Sequence, residues 1–156
     1  MLSNPRDLFL RLLGEQLWVE RTLAFEVLPK LLLAVEAEGL HAALSEHLEQ
    51  TKEQATRLEA VFRAAGAEPS SNLSPPAERL AQHHDEVAEQ IPNRRLADVW
   101  HASAAATTEH MELAAYDALL ALAGVLDLPR DELERSRREE AEALERIEAE
   151  LRKLAS

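Results

Sequence analysis

Four stretches of helical periodicity, separated by two short breaks and one long one, constrain this chain more than any other feature. Apolar residues recur three and four apart, which lines one face of a helix. The first stretch opens after Ser3-Asn4-Pro5, a capping residue followed by proline at the first helical position. Its stripe runs Leu13, Leu17, Ala24, Leu28, then Leu31, Leu32 and Val35. Pro29 interrupts it and predicts a kink or a local break in the hydrogen-bond ladder. This predicts helix A over about 5–37, ended by Gly39. Helix B follows over about 40–65, with Leu44, Leu48, Leu58, Val61 and Phe62 inward and Gly66 as its stop. Helix C covers about 95–123 and is closed by Gly124. Helix D starts near Pro129 and runs to 154, with Leu133, Leu144, Ile147, Leu151 and Leu154 inward.

The unequal connections decide the topology. A to B and C to D are joined by a few residues each, so each pair is an antiparallel hairpin. The crossover over 66–94 carries its own helix, started at Ser74-Pro75-Pro76 and ended by Pro92. A helix of 25 residues is roughly 37 Å long, which is the span such a crossover returns along. Two helical hairpins joined by a long crossover make one ferritin-like, all-α four-helix bundle spanning 1–156. Composition agrees: Ala, Leu, Glu and Arg dominate, aromatics are 4%, and no alternating β-branched run suggests a sheet.

A net charge of −12 repels phosphate backbones and anionic bilayers, so neither nucleic acid nor membrane is an expected partner. Cations suit it better. With no cysteine there is no disulfide and no thiolate chemistry. No uninterrupted apolar segment is long enough for a signal peptide or membrane span, and the expected location is cytoplasmic. Nothing resembles a nucleophile elbow or a phosphate-cradling glycine loop.

The stripes also carry charges. Glu20 falls on that of helix A, Glu109 on that of helix C with Glu112 one turn along, and Glu140 on that of helix D. Helix B contributes His47 and Thr51, with Gln50 beside them. All lie near mid-helix, so antiparallel packing brings them to one level. Inward carboxylates repel unless a cation sits between them. Glu20, Glu109, Glu112 and Glu140 are therefore candidate metal ligands, and His47 and Gln50 are weaker ones. Ion pairs with Arg21, Arg57, Arg94 or Arg137 are the alternative. His110 is turned about 100° from Glu109 and points elsewhere. His83, His84 and His101 read as surface or partly packed residues. Glu38-Gly39-Leu40-His41 is a coincidental match to the Glu-x-x-His pattern of di-metal bundles.

The segments "DLFLRLLGEQLWVERTL", "HLEQTKEQATRLEAVF", "EHMELAAYDALLALA" and "EEAEALERIEAEL" occur in this order over nearly the whole chain. Through them the sequence resembles the YciE/YciF family of ferritin-like bacterial stress proteins. The resemblance implies a rubrerythrin-related bundle, often dimeric, with a two-metal carboxylate centre to which Glu20, Glu109, Glu112 and Glu140 correspond. Gln50, Gln54 and Leu144 stand where the family usually carries an acid, a histidine and an acid. A homodimer is expected, since Leu2, Leu8, Phe9, Trp18 and Trp100 lack evident core partners. Two functions follow. One is a stress-response bundle holding two divalent ions, Fe or Mn, that acts as an oxidase or handles peroxide, with Tyr116 as a donor beside the ligands. The other is a non-enzymatic helical protein holding no metal, its site decayed, that works through dimerisation or partner binding.

Overall fold

A computed structural model describes residues 1–156, all helix and connections with no strand. The helices are α1 (Pro5–Thr22), α2 (Leu28–Ala34), α3 (Glu38–Ala64), α4 (Pro75–Ala88), α5 (Arg94–Val125) and α6 (Asp131–Leu154). A π-helical turn, Leu23–Val27, joins α1 to α2. The α1–α2 rod, α3, α6 and α5 form the four sides of a ferritin-like bundle, each packed on the next. The two hairpins are α1/α2–α3 and α5–α6. Helix α4, in the long crossover, packs on the outside of α5.

Local chemistry explains most of the boundaries. Asn4 Oδ1 accepts from the Asp7 N–H at 2.9 Å, and Asn93 Oδ1 accepts from the Leu96 N–H at 2.9 Å, so each start has a side-chain cap. The π turn lies directly ahead of Pro29. That proline has no N–H to continue the ladder, and the Leu28 N–H reaches back five residues to the Leu23 carbonyl. The expected break is thus a widened turn inside a continuous rod.

Four boundaries differ from the periodicity. The first rod ends at Ala34, and α3 begins at Glu38, so Gly39 lies inside a helix. A Cβ on Gly39 would stand 2.3 Å from a Glu150 carboxylate oxygen, so the glycine admits that side chain. The turn before α3 is closed from across the bundle. Buried Asp98 of α5 accepts from the Ala37 N–H at 2.8 Å and the Glu36 N–H at 3.3 Å. Helix α5 runs past Gly124; Asp127 takes the left-handed position (φ 54), and the Leu128 N–H bonds the Ala123 carbonyl at 2.9 Å. At the end of α3 Gly66 (φ 72) fills the same role, as its sequence position predicts. Helix α6 begins at Asp131, two residues after Pro129.

The apolar core is in two parts. Phe9, Leu13, Leu17, Leu58, Phe62 and Leu119 fill one end; Leu40, Leu44, Ala102, Leu144 and Ile147 fill the other. Phe9 is wholly buried, so it leaves the set of apolar side chains without core partners. Trp18 and Trp100 are half-buried, while Leu2 and Leu8 remain exposed. No helix is long and apolar enough to cross a membrane.

Candidate metal centre

Between the two apolar parts lies a buried polar layer. Glu20 comes from α1, His47 from α3, Glu109 and Glu112 from α5 and Glu140 from α6, and each is at most 2% exposed. The helical period places them: 109 and 112 share a face of α5, and 140 shares the inward face of α6 with Ala143, Leu144 and Ile147. His47, Glu109, Glu112 and Glu140 each offer one ligand atom, and these four atoms lie within 4.8 Å of one another. His47 Nε2 is 2.8 Å from Glu109 Oε1 and 3.9 Å from Glu140 Oε2. The shorter approach is off the direction a ring N–H would need, so both ring nitrogens lack a hydrogen bond.

Glu20 stands beside this group rather than in it. Its Oε1 accepts from the Tyr116 hydroxyl at 2.5 Å and from Gln16 Nε2 at 3.2 Å. Gln16 Nε2 also donates to Glu112 Oε1 at 3.1 Å and so links the two acids. One oxygen each of Glu20, Glu109 and Glu112, and both of Glu140, are buried with no partner. Buried polar atoms are almost always satisfied, so a concentration of orphaned acceptors in one layer asks for a cation.

The electrostatics say the same. Burial pushes the Glu20 carboxyl up to about 8, the Glu140 charge adds to the rise, and the Tyr116 and Gln16 hydrogen bonds oppose it. Burial raises Glu109 to about 7. It holds Glu112 and Glu140 well above the usual carboxylate range, and neighbouring carboxylates push them further. The Tyr116 hydroxyl rises too, from burial and then from the Glu20 charge, and so stays a proton donor to that acid. Four acids that burial and mutual repulsion hold back from ionising would all ionise around a divalent ion.

No arginine neutralises the layer. Arg21 pairs with Glu59, Arg57 with Glu139, Arg94 with Glu36 and Arg137 with Asp117. Gln50 is partly buried, and its Oε1 has no partner. Gln54 is wholly buried, with its amide donating to Glu139 at 3.3 Å and its Oε1 unpaired. Leu144 belongs to the apolar core, so that position offers no ligand. His110 is exposed beside Glu148, and Glu38 and His41 begin α3 outside the polar layer. His101 corrects the sequence reading: it is 5% exposed, and its Nδ1 lies 2.8 Å from His84 Nε2. Gln16 is a residue the periodicity passed over, although it sits one turn before Glu20 on the same stripe.

The family model described as "Domain of unknown function (DUF892)" matches residues 4–156. The chain belongs to the DUF892 family. Two solved structures resemble it over nearly its full length. YcfI from Rhodopseudomonas palustris is 29% identical, with 99% of this chain and 95% of that one covered and a TM-score of 0.81. The Escherichia coli stress protein YciF is 28% identical, with 98% and 93% covered and a TM-score of 0.76. The resemblance drawn from the four helical segments therefore holds for the fold as a whole. No curated protein matches the sequence. In this DUF892 chain the buried His/Glu cluster could hold a metal ion.

Proposed function

We propose that the polar layer is a carboxylate-rich metal centre for Fe or Mn in a ferritin-like stress-response protein. The observation that carries this reading is the set of orphaned acceptors on Glu20, Glu109, Glu112 and Glu140 beside an unpaired His47. Oxygen-rich donors with one imidazole suit Fe(II) or Mn(II) better than thiophilic metals. His47, Glu109, Glu112 and Glu140 would hold the first ion, and Glu20 and Gln50, each with an unpaired oxygen, would be the further donors for a second. Four carboxylates match the charge of two divalent ions. Redox-active ions bound there would supply the capacity to reduce oxygen or peroxide.

This chain's own residues govern protons and water at the site. The Tyr116 hydroxyl oxygen, 2.5 Å from Glu20 Oε1, holds its proton toward that acid, and Gln16 orients Glu20 and Glu112 through one amide. The apolar parts above and below close the layer at its two ends. Gln54, turned to Glu139, and Leu144, buried in the core, favour the second reading, a non-enzymatic protein with a decayed centre. Calorimetry with Fe(II) and Mn(II), together with metal analysis of freshly purified protein, tests the first. Micromolar or tighter binding that is lost in Glu112→Gln/Glu140→Gln supports it. No heat of binding with either ion would leave the non-enzymatic reading.

A further inference from the structure

A second feature lies outside the polar layer. A cavity of about 700 Å³ opens between the π turn, α4 and α5, and reaches inward to His47 and Glu109. That volume falls in the range of sites for small organic molecules. Its roof is α4. This helix presents Ala77, Leu80, Ala81, His84 and Ala88 to the cavity, at helical spacing, yet none of its residues is buried. An amphipathic helix ordinarily packs its stripe into a core; here the stripe covers a space. Three polar contacts fasten it: Lys30 to Asp85 at 2.8 Å, the Trp100 indole N–H to the His84 carbonyl at 3.0 Å, and His84 to His101.

The fastening also fixes proton positions. Lys30 holds the Asp85 carboxyl below its usual range, so it is ionised. Asp85 Oδ1 lies 3.2 Å from His84 Nδ1 and selects the tautomer with the proton there. His84 Nε2 then accepts, and His101 Nδ1 donates across 2.8 Å. His101 Nε2 has no protein hydrogen-bond partner, and His101 is among the residues that line the cavity. Burial lowers the His101 pKa, which keeps that nitrogen unprotonated. A ligand that satisfies it must bring an O–H or N–H. The acidic side chains around the cavity are Glu26, Glu78, Asp85, Glu89 and, at its inner end, Glu109, against Lys30 already paired, so an anion is repelled.

We propose that the cavity under α4 binds an uncharged, ring-bearing alcohol or phenol whose hydroxyl donates to His101 Nε2 while its ring lies against Trp18, Trp100 and the apolar face of α4. The cavity takes this ligand whether or not the polar layer holds a cation, so chelator-treated protein is the right material. Calorimetric titration with 1-naphthol should give saturable binding near equimolar ratio. Both tryptophans of the chain line the cavity, so their emission should change along the same curve. The anion 1-naphthoate should bind at least 10-fold more weakly. His101→Phe keeps a ring and removes the acceptor, and should weaken 1-naphthol roughly 3- to 10-fold. Ala81→Trp fills the cavity from a helix with no buried residue and should abolish binding without altering the fold. Absence of 1-naphthol binding, equal affinity for the anion, or undiminished binding in Ala81→Trp would each overturn the proposal.

Discussion

Replacing Glu109 by glutamine should stabilise the metal-free protein at alkaline pH and leave it unchanged at acid pH. Glu109 is 2% exposed, and its carboxyl titrates at about 7 in the fold against an ordinary 4.5. A raised carboxyl pKa means that the native state binds the proton more tightly than the unfolded chain does. Its contribution is therefore fully present below pH 4.5 and is lost as the pH rises through 7. At pH 8 the loss reaches about 3 kcal/mol, at 1.36 kcal/mol per pKa unit. Glutamine has the same shape and no proton to lose. For a chain of this length, 3 kcal/mol corresponds to about 6–12 °C in melting temperature. Calorimetric melts in chelator at pH 4.5 and pH 8 would read the difference directly. With saturating Mn(II) the order should invert at pH 8, because the variant has given up a ligand oxygen. An equal shift at both pH values would mean that the substitution acts through packing. A lower melting temperature at pH 8 would refute the electrostatic account.

Four further outcomes are expected. Gln50→Glu places an anionic oxygen where an unpaired amide oxygen is now buried, and should tighten Mn(II) binding about 10-fold by calorimetry; weaker binding would count against a second-ion role for this position. Tyr116→Phe removes a donor to Glu20 and should cost about 1 kcal/mol at pH 7 and roughly 1.5–3 kcal/mol at pH 9, where Glu20 is ionised, read by urea unfolding. Asp127→Gly relieves a left-handed residue at the end of α5 and should add about 0.5–1 kcal/mol in the same assay. The chain should form a homodimer, with Leu2, Leu8, Phe25 and Leu33 among the apolar side chains left exposed; a monomer mass by light scattering at micromolar concentration would exclude it.

The acids of the polar layer are legible in the sequence because helical spacing is a strict ruler. Residues 109, 112 and 116 fall on one face whatever the tertiary detail, and an acid there has nowhere else to point. The Pro29 break is legible for the same local reason. Features set by a partner helix are not. Gly39 reads as a stop until Glu150 of α6 is seen against it. Gly124 draws the end of α5 two residues early, because nothing local shows that Asp127 takes the left-handed turn. Asp98 looks like an ordinary surface acid, yet it closes the turn before α3 from across the bundle. His84 and His101 are 17 residues apart on two helices, and only the placement of the crossover brings their rings together. Gln16 is missed because an amide, unlike a carboxylate, raises no alarm on a stripe.

The division of the chain into two hairpins has a consequence for how the molecule assembles. The first hairpin carries Glu20 and His47, and the second carries Glu109, Glu112 and Glu140. Neither half alone holds the four atoms that converge, so the polar layer comes into being only when the halves dock. Within each half the contacts are local and form quickly, while docking must close the long crossover first. Docking then brings Glu20 against three acids that the second hairpin already gathers, and the bundle closes against that electrostatic resistance. A cation present during folding would act as a clasp on that step, speeding closure and slowing reopening. Without one, the seam between the hairpins is where the native state first parts, and hydrogen exchange at neutral pH would find it there.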